Sequence, residues 1–171
     1  MEEPGVVLDK LLKHIESEVY SNCGLEISHI EVEQESKEYQ ACRFKLNELN
    51  IVCRKAKITP KKSGQFVTFW KRNGSGPIEP FSDTDKIDFY VVNIQTEKEI
   101  GQFVFPKSIL IKKGILTTDK KEGKRAFRVY PSWDIVTSKQ AKQSQKWQLS
   151  YFYEINEKTD FRKVKELFSG K

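Results

Sequence analysis

Residues 39–58 read YQACRFKLNELNIVCRKAKI, and the pattern of this stretch decides the class of fold. Apolar side chains alternate with polar ones in residues 39–46 and again in residues 50–58, with the period of two that is typical of a β-strand with one buried face. The residues between them, NELN at 47–50, include two asparagines, which favour a turn. The stretch therefore predicts a β-hairpin.

A helix and a further strand are predicted ahead of the hairpin. In residues 6–19, Glu and Lys occupy one face, and the other face is apolar at intervals of three and four residues: Val7, Leu8, Leu11, Leu12, Ile15 and Val19. This periodicity predicts an amphipathic helix that covers one side of the core. Residues 25–32 then alternate in the manner of a strand.

The rest of the chain also mixes strands and helices. A turn at residues 59–64 leads to a predicted strand at 65–71, and a Gly-rich and Pro-containing loop is predicted at 73–77. Further predicted strands cover residues 87–94, 101–105 and 125–130, predicted helices cover 106–112, 139–148 and 161–168, and residues 151–154 are ambiguous. Strands at hairpin spacing with helices beside them indicate an α+β fold, with a largely antiparallel sheet and flanking helices. We expect one domain over residues 1–171, with an acidic amphipathic helix in residues 1–24 and a C-terminal helix in residues 154–171.

The cysteines and histidines argue against a metal site. Cys23, Cys42 and Cys53 are odd in number and form no CxxC pair, which indicates buried thiols in a reducing compartment. The two histidines, His14 and His29, are not placed to complete a zinc site. We therefore expect no metal and no cofactor.

The chain carries no sign of export or of membrane insertion. The first residues, MEE, are acidic and lack the basic and apolar pattern of a secretory signal. No apolar run approaches the roughly 20 residues that span a bilayer. The sequence predicts a cytoplasmic protein that does not bind membranes.

Charge is distributed unevenly along the chain. Residues 1–38 contain ten acidic and three basic residues, whereas the remainder carries 27 Lys and Arg against 14 Asp and Glu. The part of the chain after residue 38 therefore carries +13 and residues 1–38 carry −7, which together give the formal net charge of +6. Such an excess raises the affinity for anions, although it also serves solubility alone.

Residues 54–72 form the most basic segment and contain no acidic residue. Its cations are Arg54, Lys55, Lys57, Lys61, Lys62, Lys71 and Arg72. Alternation along a strand would place Lys55 and Lys57 on one face, with Lys61 and Lys62 in the turn beyond it. This arrangement suits successive phosphates of a nucleic-acid backbone. The alternative is a solvated face whose neutralising carboxylates come from elsewhere, including the acidic N-terminal segment.

Two further basic segments follow. Residues 120–133 mix Lys124, Arg125 and Arg128 with aromatic side chains, of which Trp133 could be exposed as a platform for unpaired bases. In the predicted helix 139–148, Lys142 and Lys146 lie on one face with Lys139 and could extend a phosphate-binding surface, although a plain surface helix is the other reading.

Signals for catalysis are weaker. A metal-dependent nuclease needs carboxylates for Mg²⁺ and a lysine near the attacking water, and Asp88, Glu122 and Lys124 fit that outline. A lysine-rich chain satisfies this pattern easily by chance. Neither the phosphate loop GxxxxGK[ST] nor the GxSxG elbow of hydrolases occurs.

Several ordered motifs resemble one protein family. They are AKITPKKSGQFV at 56–67, WKRN at 70–73, GQFVFPK at 101–107, GKRAFRVYPSW at 123–133 and QKWQ at 145–148. Together they resemble the MepB family over residues 39–153. The resemblance implies a small bacterial cytosolic protein, from a family named for an operon that also encodes a multidrug efflux pump and its repressor. It further implies a fold similar to the DNA-recognition domain of a restriction endonuclease, and it supplies no catalytic residues.

These observations predict a non-catalytic protein that binds nucleic acid, with single- or double-stranded DNA as the partner. The predicted contacts are Lys57, Lys61, Lys62, Lys71, Arg72, Lys107, Lys124, Arg125, Arg128, Trp133, Lys142 and Lys146. Two alternatives stay open: the Mg²⁺-dependent nuclease, and a regulatory module linked to multidrug efflux whose basic surface binds an acidic protein.

Overall fold

The computed structural model describes residues 8–170 and has an α+β architecture. The helices are α1 (Lys10–Glu18), α2 (Lys107–Lys112), α3 (Lys139–Gln148) and α4 (Phe161–Phe168). The strands are β1 (Ile27–Val32), β2 (Cys42–Leu46), β3 (Leu49–Lys55), β4 (Lys57–Ile58), β5 (Gln65–Thr68), β6 (Trp70–Arg72), β7 (Ile78–Pro80), β8 (Phe89–Gln95), β9 (Ile100–Pro106), β10 (Ala126–Val129) and β11 (Phe152–Glu154). The main sheet has six strands in the order β1-β2-β3-β8-β9-β11, with β4, β5 and β10 in a second sheet and β6 and β7 in a third.

The predicted hairpin forms the second and third strands of the main sheet. Strands β2 and β3 pair antiparallel from Cys42 opposite Cys53 to Leu46 opposite Leu49. The turn is therefore tighter than the predicted 47–50 and consists of Asn47 and Glu48. Asn47 has a φ of 54°, a left-handed conformation that asparagine tolerates better than most residues.

The sheet is largely antiparallel, as predicted, with one parallel contact between β3 and β8. Two parallel neighbours need a long connection. Here the connection is residues 56–88, which contain β4 to β7 and build the two smaller sheets on one side of the main sheet. This connection therefore places residues 56–72 of the basic segment outside the main sheet, whereas Arg54 and Lys55 belong to β3.

One face of the main sheet is covered by α1 and α4. The predicted apolar stripe of the first helix is confirmed for Leu8, Leu11, Leu12, Ile15 and Val19, all of which are buried. Val7 lies outside the described residues. The three cysteines are buried and free, as predicted.

A hydrogen-bonded polar network crosses the main sheet. The fully buried side chain of Gln102 accepts hydrogen bonds at Oε1 from the hydroxyls of Tyr20 (3.1 Å) and Tyr153 (2.6 Å) and donates to Asn93 Oδ1 (2.7 Å). These bonds join β9 to β8 and β11 within the sheet and to the segment after α1. Because its polar groups are paired, the network stabilises this face of the sheet.

The other face is covered by the second sheet, α2 and α3. Aromatic rings join the layers: Phe69 stacks on Tyr90 at a centroid distance of 4.0 Å and on Phe81 at 4.6 Å. The predictions of helices at 139–148 and 161–168 are confirmed with the same bounds. The helix predicted at 106–112 begins one residue later, at Lys107, with Pro106 as its N-cap. The ambiguous residues 151–154 contain the edge strand β11.

Two strand predictions in the basic segment are wrong. The predicted strand 65–71 is two strands in different sheets, because the chain bends at Phe69 and inserts this ring into the core. The predicted strand 50–58 also divides, since Ala56 bonds to the Asn93 carbonyl and the chain then passes into β4. Lys55 and Lys57 consequently belong to different sheets and do not share a strand face.

Candidate functional site

An open cleft of about 620 Å³ lies between the turn at residues 59–64, β10 and one face of α3. Five cationic side chains line it: Lys61, Lys62, Lys113, Lys124 and Arg128. Within residues 8–170, no Asp or Glu lines this cleft, and none of its four lysines takes part in an ion pair. The cleft therefore concentrates unneutralised positive charge.

Aromatic side chains form part of the cleft wall. Phe127, Tyr130 and Trp147 are half-buried and line the cleft. Phe127 and Trp147 also contact the core ring of Phe105, at centroid distances of 6.2 and 5.5 Å. The Lys113 ammonium lies 5.3 Å from the Trp147 ring centroid, so a cation and an aromatic surface are held side by side.

Arg128 holds the turn that carries Lys61 and Lys62. Its Nη2 donates to Thr59 Oγ1 (2.7 Å), and its Nη1 donates to the carbonyl oxygen of Ser63 (3.2 Å). The guanidinium also lies 5.9 Å from the ring centroid of Phe66. Because these donors are used within the protein, the geometry makes Arg128 chiefly a positioning residue for the turn.

Gly64 lets this turn approach β10. Its φ is +76°, and a Cβ at this position would lie 2.5 Å from Tyr130 Cε1 and 2.9 Å from the Val129 carbonyl oxygen. A side chain would be strained here and would also collide with β10. The close approach brings Lys61 and Lys62 to the same cleft as Tyr130.

Asp134 also contacts the turn, through the backbone. The Gly64 backbone lies near the Asp134 carboxyl and favours its ionised form. Partial burial raises the pKa of this carboxyl above its ordinary value, and the nearby Gly64 backbone offsets part of that rise. A carboxylate thus supports the turn without lining the cleft.

Two glutamines hold α3 against β10 and against the residues that follow β10. Gln148 donates to the Arg128 carbonyl (2.9 Å) and accepts from the Tyr130 N–H (2.8 Å), which pairs α3 with β10. Gln145 donates to the carbonyls of Pro131 and Asp134, at 3.0 Å each.

The N-terminus of α3 contributes to the field in the cleft. Ser138 caps α3 by accepting from the Ala141 N–H (3.1 Å), and both residues line the cleft. The positive end of the α3 dipole therefore adds to the charge of the lysines.

The structure brings together four of the residues predicted to contact nucleic acid: Lys61, Lys62, Lys124 and Arg128. Lys124 reaches the cleft because Gly123 packs against the backbone of residues 115–117, where a Cβ would lie 2.2 Å from the Ile115 carbonyl oxygen. The cleft joins residues that are more than 60 positions apart in sequence.

Other predicted contacts lie outside the cleft and engage partners of their own. Lys71 pairs with Asp85 at 2.8 Å, and Arg72 pairs with Glu35 at 3.0 Å. The remaining ones do the same: Lys107 donates to the Asp85 carbonyl, Arg125 pairs with Glu122, and Lys57 lies over the Tyr39 ring.

The predicted lysines of α3 and the predicted stacking tryptophan occupy other surroundings. Lys142 and Lys146 are exposed but do not line the cleft, since residues 140, 144 and 147 of the helix face it instead. Trp133 is half-buried against Phe152 at a centroid distance of 5.5 Å, and its buried Nε1 has no hydrogen-bond partner. Its ring therefore packs on the core.

The residues of the nuclease alternative have separate partners. Asp88 Oδ2 accepts from the Asn50 N–H (2.7 Å) and from Asn50 Nδ2 (3.2 Å), which connects β8 to β3. Glu122 pairs with Arg125 at 2.9 Å, and Lys124 faces the cleft. Within the described part of the chain, no three side chains of His, Cys, Asp and Glu gather in a way that could hold a metal ion.

Sequence reasoning missed Lys113 and Trp147 as neighbours in the cleft. Trp147 was recognised only within the QKWQ motif, and Lys113 follows α2 without any local signal. They meet because α2 and α3 lie on the same side of the main sheet. Only the tertiary packing could reveal this pair.

None of the helices within residues 8–170 has the length and apolar character needed to cross a membrane.

Comparisons with known proteins agree with the motifs in the sequence. A structure described as that of MepB is similar to this chain, with 38% sequence identity and a TM-score of 0.75 over 86% of this chain and 96% of that one. A bacterial homing endonuclease has 13% identity and a TM-score of 0.42 over 76% of this chain and 81% of its own. Curated protein sequences give no significant match. The MepB-like family model matches residues 33–154, so the chain belongs to the MepB-like family.

Proposed function

We propose that this protein binds nucleic acid in the basic cleft, without cleaving it. The observation that carries the proposal is the set of four unpaired lysines, Lys61, Lys62, Lys113 and Lys124, around one cleft that no carboxylate lines within residues 8–170. Phosphates of a nucleic-acid backbone carry one negative charge each, and cations spread along a groove neutralise several of them at once.

The aromatic part of the wall supports unpaired bases as the preferred ligand. Tyr130 and Trp147 offer half-exposed ring surface beside the lysines. Bases stack on such rings with little regard to sequence, and stacking requires that the bases be free of a duplex. Single-stranded DNA is therefore expected to bind more tightly than a duplex of the same length.

The experiment measures binding of fluorescent single- and double-stranded oligonucleotides over a range of salt concentrations. Wild type is compared with the double variant Lys61→Glu/Lys62→Glu. We expect the variant to lose about tenfold or more in affinity for every sequence, and its log–log salt slope to flatten by about two. Folding is verified by circular dichroism, since both lysines are exposed in a turn.

The matched control is Lys10→Glu/Lys165→Glu. It makes the same change in net charge, but both side chains are exposed on α1 and α4, which cover the opposite face of the main sheet. The control is expected to bind nearly as wild type does. Equal losses in the two double variants would show that only net charge matters, and unchanged binding by the cleft variant would overturn the proposal.

The cellular setting stays a prediction. The three buried free thiols support a cytoplasmic location, because such cysteines persist in reducing compartments. The alternative is a regulatory module linked to multidrug efflux that binds an acidic protein. If it holds, wild type fails to bind nucleic acid but binds the protein partner, and the same cleft variant loses that partner.

A further inference from the structure

A second pocket, of about 310 Å³, lies beside β3 and β6 and shares no residue with the cleft. Its lining includes Arg43, Arg54, Trp70, Lys71, Arg72 and Phe81. Glu33 and Glu35 also line it, so the pocket is not uniformly basic. The pairing of these charges decides what it can bind.

The outer cations of the pocket are neutralised by carboxylates. Arg43 pairs with Glu33 at 2.9 Å, Arg72 with Glu35 at 3.0 Å, and Lys71 with Asp85 at 2.8 Å. Both glutamates of the lining are thereby engaged. None of these carboxylates pairs with Arg54.

Arg54 is buried and has no anionic partner among residues 8–170. It is 3% exposed, on the β3 face that packs toward the second sheet. Its guanidinium makes one hydrogen bond, from Nη1 to the Cys53 carbonyl oxygen at 2.9 Å, and its Nε is buried with no partner. A buried charge without a counter-ion is costly, and proteins rarely retain one without use.

We propose that this pocket binds a phosphate group, with the Arg54 guanidinium as its main ligand. The planar fork of arginine matches the oxygens of a phosphate and donates two charge-assisted hydrogen bonds to it. Arg54 has unused N–H groups for this purpose, and the paired arginines at the rim hold their positions through Glu33 and Glu35. The site is separate from the cleft and does not depend on the function proposed for the cleft.

Two sources share this chemistry: inorganic phosphate, and the terminal phosphate of a nucleotide or of an oligonucleotide end. Trp70 lines the pocket as a half-exposed ring and could contact a base. A pocket of this size is at the small end of the range for organic ligands. The experiment must therefore separate the phosphate group from what is attached to it.

The test uses the full chain in a buffer free of phosphate and sulfate, with calorimetric titration of inorganic phosphate and with thermal unfolding at several phosphate concentrations. Wild type is compared with Arg54→Met, which keeps an unbranched apolar stem and removes the charge. We expect phosphate to bind wild type and raise its Tm, and to do neither for Arg54→Met. Without phosphate, the variant is expected to be at least as stable as wild type, because a buried unpaired charge is gone.

Three further variants test whether phosphate binding depends on the Arg54 guanidinium and on this pocket alone. Arg125→Met removes an exposed arginine elsewhere and should leave phosphate binding unchanged. Lys61→Glu/Lys62→Glu should also retain it, which separates this site from the cleft. Arg54→Lys keeps the charge but loses the fork, and its affinity for phosphate should fall about tenfold even if Arg54→Met fails to fold. A wild type that ignores phosphate, or an Arg54→Lys variant that binds as wild type does, would overturn the proposal.

The source is identified with pairs of probes. Adenosine monophosphate is compared with adenosine, and a 5′-phosphorylated oligonucleotide with the same oligonucleotide lacking the phosphate. If the phosphorylated member of each pair binds more tightly, and more tightly than inorganic phosphate, the ligand is a nucleotide end. Equal affinity for inorganic phosphate and adenosine monophosphate would identify the free anion.

Discussion

The two halves of the basic segment 54–72 are similarly basic in sequence, but their cations differ in whether they form ion pairs. Lys61 and Lys62 remain unpaired in the cleft, whereas Lys71 and Arg72 are bound by Asp85 and Glu35. These two carboxylates are 14 and 37 positions from their cations, and Lys71 also pairs, at 3.7 Å, with Glu79 on the neighbouring strand β7. Local charge density therefore identifies where cations are, but the fold decides which of them remain available to a ligand.

This difference also separates the two interpretations of the segment. Neutralisation from elsewhere applies to Arg72, whose partner Glu35 belongs to the acidic N-terminal segment. It does not apply to the turn at residues 59–64, whose two lysines form no ion pair within residues 8–170. The turn is held instead by Arg128 and by backbone contacts.

The largest expected effect concerns the glycines of the two turns. Gly64→Ala should destabilise the protein by about 2–4 kcal/mol, because it combines a left-handed φ with a collision against Tyr130 and β10. Gly74→Ala, beside Lys71 and Arg72, should cost only about 1 kcal/mol, since its Cβ would meet no atom within 4 Å. Urea denaturation measures both. Equal losses would mean that the turn at 59–64 is not held against β10 as described.

The next effect tests the paired half. Lys71→Met should lower the free energy of unfolding by about 1–3 kcal/mol, because the side chain is only 20% exposed and its loss leaves Asp85 without its cation. Arg125→Met is the control, and breaking its exposed pair with Glu122 should cost less than about 0.5 kcal/mol. Nucleic-acid affinity should be unchanged in Lys71→Met. A variant that keeps full stability but binds weakly would place Lys71 in the interface after all.

Much of the fold could be predicted from periodicity. The hairpin, the bounds of α3 and α4 and the buried stripe of α1 follow from alternating or helical apolar patterns, which local physics enforces. The strand predictions at 50–58 and 65–71 were wrong because alternation continues through the bends at Ala56 and Phe69. At both bends the chain changes sheets to satisfy burial and hydrogen bonding, and neither is visible in a local pattern.

The candidate site was predictable only in part. The motifs around Lys61, Lys62 and Lys124 identified segments that line the cleft, since clustered lysines are visible in the sequence although their lack of ion pairs is not. Lys113 could not be assigned, because its place in the cleft depends on how α2 packs. The sequence counted Arg54 only as one of seven cations in the basic segment, and only burial distinguishes it from its neighbours.

The smallest expected effect concerns Asp134, whose carboxyl lies beside the turn at residues 59–64. Burial raises the pKa of Asp134, so folding favours its neutral form. The stability that this residue contributes is fully present below the ordinary Asp pKa of about 3.9 and is lost as the pH rises through the higher folded value. Asp134→Asn is nearly the same size and shape and cannot ionise. Relative to wild type, the variant should therefore gain stability as the pH is raised from acid to neutral, by less than about 0.5 kcal/mol because the side chain is partly exposed. Urea denaturation of both proteins across this range measures the difference. A relative loss at neutral pH would instead show that the ionised Asp134 stabilises the turn, through the field of Lys61 and Lys62.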